Sequence, residues 1–498
     1  MNAQQIVSGL GWSALASVVA AACQFVFMAV LARLLDPAAF GLMAMGAIAL
    51  RFAGFFSQLG FAQAIIQRPE LKPVDTTAAL LMALGIGALL YAGMVLAAPL
   101  FAAVFRAPEL PLLISVLGLS LVLSTLGSLP IALLRRQARF KRVNGIEVFS
   151  FIVGYGAVGI WCANRGLGVW SLVAATLSQQ ALVIVAGFWA VRYPLAWPVP
   201  GTAFAQLWGF GSRYSLIGFV EFLSANVETL FIGRSFGKAD LGLFNRAITL
   251  TNLPVEFGVS AVTKVLFPAL AGMQRDPARM ADGFLMLLLS IGIFSTAVAC
   301  GIAAAAPDVV ALLLGAQWAG TVPVVAIVAF AVPPMFMFVA CGVTLDSLAA
   351  LGPKLRLQAL VLVLKVALVL LLASGGLTGI AVAVVLAELL RLALGLRLVA
   401  RLLGIPAATL GWQLALFAAT GLGVWLAVGG AASVSLAAGV PLVGRVLLES
   451  MAGAVVLGGG LLWLIFRFPG YAPLQRFEAL RRGHARVLQA LRVKALHP

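Results

Sequence analysis

Chemically reactive side chains are scarce in this chain. Only 10% of its 498 residues are charged, and its two histidines, His484 and His497, both lie near the C-terminus. The sequence contains no HExxH or GxSxG motif, no phosphate-binding P-loop and no run of aspartates at metal-ligand spacing. Zinc enzymes, hydrolases and ATPases depend on such groups. We therefore expect no enzyme, no catalytic residue, no metal site and no bound cofactor.

Cysteine is also rare, and its positions do not suggest redox or metal chemistry. All four cysteines lie inside apolar runs and none forms a CxxC pair. This placement predicts buried free thiols rather than a disulfide or a metal site. The four are Cys23, Cys162, Cys300 and Cys341.

Apolar residues are what the chain has in abundance. Hydrophobic residues make up 63% of it and its mean hydropathy is +1.10, values that soluble globular proteins do not reach. Because one crossing needs about 20 apolar residues, the sequence predicts an all-α polytopic membrane protein with about fourteen transmembrane helices. The predicted spans are 11–34, 40–61, 78–103, 110–133, 146–163, 168–191, 209–233, 241–264, 284–306, 320–345, 357–374, 376–398, 410–429 and 442–466.

Lysine and arginine are concentrated in alternate loops, most densely at 135–142, and in the tail 467–498. This bias predicts a multi-pass protein of the bacterial inner membrane with both termini in the cytoplasm. It also accounts for the net charge of +17 without a nucleic-acid partner. The tail is basic and amphipathic, so we expect it to lie on the anionic inner leaflet, with partner binding as the alternative.

An internal repeat indicates the domain organisation. Ala32-Arg33 and Gly41-Leu42 match Gly233-Arg234 and Gly242-Leu243 at a constant offset of 201 residues. An even number of spans per repeat predicts two six-helix bundles related by a pseudo-two-fold axis along the membrane normal, with a cleft between them. The predicted divisions are an N-terminal bundle 1–200, a C-terminal bundle 201–402, two additional helices 403–466 and the tail 467–498.

The eighth span carries a polar stripe. Asn245, Asn252 and Glu256 fall on one helical face, with Arg246 at its edge. An ionisable group facing lipid at mid-depth costs a few kcal/mol, so this face should contact protein or a water-filled cavity.

The seventh span repeats this pattern, since Arg213, Glu221 and Glu228 share a face. Arg51 in the second span corresponds to Asn252 at the repeat offset. We predict that these groups line the cleft, the cations and the amide binding substrate and the carboxylates carrying protons or neutralising the arginines. The predicted substrate-binding residues are Arg51, Arg213, Arg246 and Asn252, and the predicted proton carriers or counter-ions are Glu221, Glu228 and Glu256.

Other ionisable residues within the spans have a simpler interpretation. Glu388 with Arg391 and Arg445 with Glu449 have the i,i+3 and i,i+4 spacing of pairs that neutralise each other within one helix. Lys365 has no such neighbour, and the sequence leaves open whether it extends to the membrane surface or reaches the cleft.

The segment from Val30 to Leu71 resembles the first helical hairpin of a known family. It reads VLARLLDPAAFGLMAMGAIALRFAGFFSQLGFAQAIIQRPEL. The resemblance is to bacterial oligosaccharide flippases in the polysaccharide-transporter branch of the multidrug/oligosaccharidyl-lipid/polysaccharide exporter superfamily, of the colanic-acid and xanthan type. The stretch from Leu243 to Pro268 is similar to the eighth-helix motif of the wider superfamily.

This resemblance implies a flippase that moves undecaprenyl-diphosphate-linked oligosaccharide repeat units from the cytoplasmic to the periplasmic leaflet, for exopolysaccharide, capsule or O-antigen biosynthesis. It implies alternating access of a cationic central cavity and an ion gradient, H⁺ or Na⁺, as the energy source. Membrane lipid, a polysaccharide polymerase and export machinery are the expected partners.

Two alternatives remain at this stage. A multidrug or cation antiporter of the same superfamily would share the fold, but a cleft for organic cations should be acidic and aromatic, and three candidate arginines argue against it. A structural partner in polysaccharide assembly would leave the charges within the spans unexplained.

Topology mapping tests the orientation directly. With single cysteines introduced into a cysteine-free background, positions 141 and 486 should react with thiol reagents only from the cytoplasm, and position 317 only from the periplasm. Labelling of position 141 from the periplasm would contradict the whole assignment of spans.

Overall fold

The computed structural model describes residues 3–57, 72–191, 196, 215–271 and 276–467. Long helices follow one another over these ranges, with a short helix, Ala306–Leu313, between the ninth and tenth. The long helices are α1 (Ala3–Leu34), α2 (Pro37–Ser57), α3 (Pro73–Phe105), α4 (Leu110–Arg136), α5 (Phe140–Asn164), α6 (Val169–Ala190), α7 (Ser215–Ser235), α8 (Lys238–Ala271), α9 (Pro277–Ala304), α10 (Ala316–Ser347), α11 (Leu351–Leu372), α12 (Gly376–Leu403), α13 (Ala407–Ala437) and α14 (Leu442–Arg467).

Within the described residues each predicted span overlaps one of these helices, so the all-α polytopic fold is confirmed. Ten helical stretches are long and apolar enough to cross a membrane, and one of them, Leu351–Leu403, contains both α11 and α12. Helices α1, α7 and α8 are not among the ten found in the described residues, although Val19–Leu34 of α1 is a shorter apolar helix. Helices α7 and α8 carry the predicted polar faces, which lower their hydropathy.

Helices α5 and α10 are among those that depart locally from α geometry in the described residues. In α5 the stretch Ile152–Gly159 is a π-helix. In α10 the 3₁₀ turn Ala329–Ala331 separates two α-helical segments, and Pro323 and Pro333 each lie in the first turn of one of them. Proline fits the first turn because its missing N–H would have no helical partner there. The prolines of α10 therefore begin new helical segments.

The described structure divides into two compact units. The first comprises Met1–Asn245 with Leu313–Trp318, and the second comprises Arg246–Leu312 with Ala319–Pro498. In the first unit α4 packs against both α3 and α6. In the second, α9 packs against α10 and α13 around a core that includes Phe284. The bundle boundaries at residues 200 and 402 stay predictions, and most of the tail 467–498 lies outside the described residues.

A reciprocal pair of glycines joins α2 to α8 within the first unit. A Cβ atom added to Gly41 would overlap the carbonyl oxygen of Lys238 and lie 2.6 Å from its carbon. A Cβ added to Gly242 would overlap the carbonyl oxygen of Pro37 and lie 2.7 Å from its carbon. Gly41 and Gly242 are 201 residues apart, which is the repeat offset, and so are Pro37 and Lys238. Each repeat therefore contributes an equivalent glycine and an equivalent carbonyl group to this helix crossing. Small residues allow such close backbone approach in membranes.

Alanine at either position should therefore destabilise the protein. We expect Gly41→Ala and Gly242→Ala each to lower stability by about 1–3 kcal/mol through overpacking. The measurement is the thermal unfolding midpoint of purified protein in detergent, compared with that of the wild type.

Gly85→Ala in α3 is the matched control, because an added Cβ meets nothing within 4 Å there. The control should be neutral or stabilising, since alanine is the better helix former by about 1 kcal/mol. Equal destabilisation at all three positions would show that the crossing has no special steric demand.

Candidate functional site

Helix α7 presents a polar face inside the first unit. On this face Glu228 is only 8% exposed and Glu221 is half-buried, whereas Asn226, 4% exposed, lies on the opposite side of the helix. The Asn226 side chain donates to the Phe222 carbonyl oxygen at 2.7 Å, so its amide is satisfied within the helix. Glu221 and Glu228 lie on one face of α7, seven residues and about 10 Å apart along the axis.

Helix α2 packs directly against α7. The Phe52 ring lies 6.4 Å from the Phe219 ring and 6.1 Å from the Phe222 ring, measured between centroids. Arg51, which precedes Phe52, is exposed. The first unit thus brings the helix of one predicted cation against the helix of two predicted carboxylates.

The remaining predicted residues have a different placement. Arg246 and Asn252 are half-buried and Glu256 is exposed, all on the part of α8 that belongs to the second unit. Arg213 lies outside the described residues. The predicted grouping of these side chains around one cleft stays a prediction.

Four connecting segments meet at one end of the first unit. They are the turns α1–α2, α3–α4 and α7–α8 and the segment Leu313–Trp318 that precedes most of α10. We call this group the turn cluster. If successive helices cross the membrane in opposite directions, the connections that follow odd-numbered helices all lie on the same side. All four of these segments follow odd-numbered helices, so their proximity agrees with the predicted alternation. Assignment of that side to the periplasm stays a prediction.

Charged side chains tie α7 and α8 to the end of α3 in the turn cluster. Arg234 donates to the Val104 carbonyl oxygen at 2.8 Å, and Lys238 donates to Glu109 at 2.6 Å. The Lys238 ammonium donates to the Glu109 carboxylate and thereby lowers the pKa of that carboxyl from its usual value. Both partners of this ion pair are nearly half exposed, so its contribution to stability is small.

Trp318 anchors the segment Leu313–Trp318 on the end of α1. Its indole Nε1 donates to the Ala32 carbonyl oxygen at 2.7 Å, and its ring meets that of Phe40 edge to face at 5.5 Å between centroids. Gln317 donates to the carbonyl oxygens of Ala32 and Leu35. These side chains supply donors to carbonyls at a helix end, which lack intrahelical partners. Sequence reasoning missed these contacts, although a tryptophan at a predicted loop boundary was a signal.

One predicted pair within the spans is confirmed. Arg391 contacts Glu388 at 3.0 Å on α12, and its guanidinium lies 4.1 Å from the centre of the Phe338 ring. Glu388 is 6% exposed. Lys365 on α11 is 2% exposed, so it lies within the helix packing and does not extend to the surface.

In the other predicted pair, Arg445 with Glu449, the residue that Arg445 contacts is a different one. Arg445 contacts Asp308 of the short helix at 2.7 Å, and both side chains are more than four-fifths buried. Glu449 is 2% exposed and lines an apolar cavity of about 300 Å³ among α9, α13 and α14. The i,i+4 spacing failed because Arg445 lies near the beginning of α14, where its guanidinium reaches the neighbouring connection.

Comparison with known proteins identifies the family. The family described as "Polysaccharide biosynthesis protein" matches residues 30–323, and the chain belongs to it. The lipopolysaccharide biosynthesis protein WzxC of Escherichia coli (strain K12) is 24% identical over 328 residues, covering 64% of this chain and 65% of WzxC. The succinoglycan biosynthesis transport protein ExoT of Rhizobium meliloti (strain 1021) is 27% identical over 334 residues, 66% of each chain. The matched regions thus span about 65% of these relatives' length.

Solved structures support the same fold. The lipid II flippase MurJ in its inward closed conformation superposes with a TM-score of 0.69 at 12% identity, covering 93% of this chain and 99% of MurJ. An inward-facing multidrug resistance MATE transporter superposes with a TM-score of 0.52 at 18% identity, covering 80% and 94%. The family match, together with WzxC and ExoT, confirms the predicted polysaccharide-transporter resemblance. ExoT and MurJ are named as a transport protein and a flippase rather than as enzymes, as the sequence predicted.

The revised pairing of Arg445 makes a testable distinction. Asp308→Asn should lower stability by about 3 kcal/mol, because it removes the carboxylate that contacts a mostly buried guanidinium. Glu449→Gln removes no ion pair and should cost clearly less. Thermal unfolding of the two isosteric variants in detergent decides between the partners, and a larger loss for Glu449→Gln would restore the pairing predicted from the sequence.

Proposed function

We propose that this protein is a flippase for undecaprenyl-diphosphate-linked oligosaccharide repeat units, which it moves from the cytoplasmic to the periplasmic leaflet. The observation that carries the proposal is membership of the polysaccharide biosynthesis family over residues 30–323. The names of two relatives refer to lipopolysaccharide and succinoglycan biosynthesis, and the fold is that of a lipid II flippase. The product would serve exopolysaccharide, capsule or O-antigen synthesis, with the colanic-acid and xanthan type as the proposed subtype.

The chemistry of such a substrate requires the groups that α2, α7 and α8 provide. A diphosphate and its sugars cannot cross hydrocarbon unaided, whereas a polyprenyl tail can stay in it. Arginine holds phosphate oxygens through paired, planar donors. We propose Arg51, Arg213 and Arg246 for the diphosphate and Asn252 for diphosphate or sugar, in a cavity that opens alternately to the two sides.

The location and partners follow from this function. We propose a multi-pass protein of the bacterial inner membrane with both termini in the cytoplasm, because the loop 135–142 and the tail carry the excess of cations. A polysaccharide polymerase and the export machinery would receive the translocated unit. The two bundles 1–200 and 201–402 would move against each other during transport.

An antiporter of drugs or organic cations is the second candidate, since a MATE transporter shares the fold. Arginine at the proposed positions disfavours it, because a cationic cavity repels cationic substrates. The family match also belongs to polysaccharide biosynthesis, which favours the flippase.

Substitution of the arginines tests the proposed function. In cells that lack the native gene, Arg51→Ala, Arg213→Ala and Arg246→Ala should each reduce polysaccharide output severalfold at normal protein abundance. Each substitution removes a guanidinium group that would donate hydrogen bonds to the diphosphate of the substrate. Lysine variants should recover only part of the output, since they restore charge without the paired donors.

The control is Arg165→Ala, an exposed arginine whose guanidinium lies 5.3 Å from the centre of the Trp161 ring. It should leave output unchanged. Normal output in all three cavity variants would remove the diphosphate role from these arginines.

The energy source is proposed to be an ion gradient, H⁺ or Na⁺, coupled through Glu221, Glu228 or Glu256. In proteoliposomes, an imposed pH gradient should accelerate wild-type transport of lipid-linked oligosaccharide, and Glu221→Gln or Glu228→Gln should abolish that acceleration while retaining substrate binding. A counter-ion role predicts the opposite pattern, with weaker binding and intact acceleration. If the gradient has no effect on the wild type, these two carboxylates do not couple transport to protons.

A further inference from the structure

A cavity of about 860 Å³ opens between the α4–α5 turn and the end of α6 in the first unit. Two arginines, Arg139 and Arg142, line it together with the apolar and aromatic side chains of Ile146, Phe149 and Trp189. It therefore joins two guanidinium groups to an apolar and aromatic wall. These residues lie outside the set proposed for transport.

The charges around this cavity are unbalanced. Segment 135–147 contains five cationic side chains and one acid, Glu147. That acid contacts Arg135 at 3.3 Å. Arg139 and Arg142 are exposed, and no ion pair involves either of them within the described part of the chain. Their charges are thus available to an anion from outside the protein.

The apolar wall is also exposed. The Trp189 side chain is 82% exposed and Phe149 is 55% exposed, and Trp189 is the residue before the last of α6. Tryptophan at a helix end is typical of the boundary between headgroups and hydrocarbon, where its ring contacts both. A soluble anion would leave these rings without a partner, whereas a lipid covers them with its chains.

We propose that this cavity binds the headgroup of an anionic membrane phospholipid. Arg139 and Arg142 donate to its phosphate oxygens, and its acyl chains leave along Phe149 and Trp189. Basic pockets between membrane helices bind anionic headgroups in this way. Two guanidinium groups in one cavity match a lipid with two phosphates, so cardiolipin should bind more tightly than phosphatidylglycerol, and phosphatidylethanolamine least. This lipid site goes beyond the proposed transport function and does not depend on it.

Native mass spectrometry of the full, delipidated chain in detergent tests the site. Cardiolipin, phosphatidylglycerol and phosphatidylethanolamine are titrated separately, and the fraction of protein that retains lipid is measured. The double variant Arg139→Gln/Arg142→Gln should lose about tenfold or more in apparent affinity for cardiolipin, since each cation near the headgroups contributes substantially. Its thermal unfolding midpoint should stay near that of the wild type, because both side chains are exposed.

Arg165→Gln is the matched control, since Arg165 also lies beside an exposed tryptophan but lines no part of this cavity. It should bind cardiolipin as the wild type does. Equal loss in the control and the double variant, or unchanged binding in both, would overturn the proposal. So would equal binding of phosphatidylethanolamine. Undecaprenyl phosphate is added as a competitor, and its displacement of cardiolipin at lower concentration would assign the cavity to the substrate instead.

Discussion

The cost of placing charge and bare peptide groups in hydrocarbon determines most of this structure. Because lipid offers no hydrogen-bond partners, each crossing must satisfy its own backbone, which helices do. The same cost explains why Glu388 contacts Arg391 at 3.0 Å and Asp308 contacts Arg445 at 2.7 Å. Further ionisable groups lie on α7 and α8, and the proposed transport of a charged lipid headgroup would give them a use.

Features set by local sequence were predictable. Apolar run length predicted the long helices of the described residues, since hydrophobicity over about 20 residues decides insertion whatever the helix later contacts. The pair Glu388–Arg391 was predictable because both partners lie on one helix at i,i+3. The offset of 201 residues picked out Gly41 and Gly242, although the sequence alone did not reveal that the two glycines face each other's helices.

Features set by distant contacts were not predictable. Arg445 and Asp308 are 137 residues apart in sequence, and no periodicity relates them. Glu109 and Lys238 are 129 residues apart, and each looks like an ordinary loop charge by itself. The arrangement of the candidate site also depends on contacts between residues that are distant in sequence. Helical periodicity showed which side chains share a face of α7 or α8, but the facing surface depends on how the helices pack.

The segment Leu313–Trp318 has a consequence for the order of biosynthesis. It completes the first unit, yet it emerges from the ribosome only after the roughly 70 residues that follow Asn245, about 3 to 14 s later at typical elongation rates. During that interval the carbonyl oxygens of Ala32 and Leu35 lack the donors that Gln317 and Trp318 later supply. The N-terminal unit thus finishes assembling only when part of its neighbour has already been synthesised.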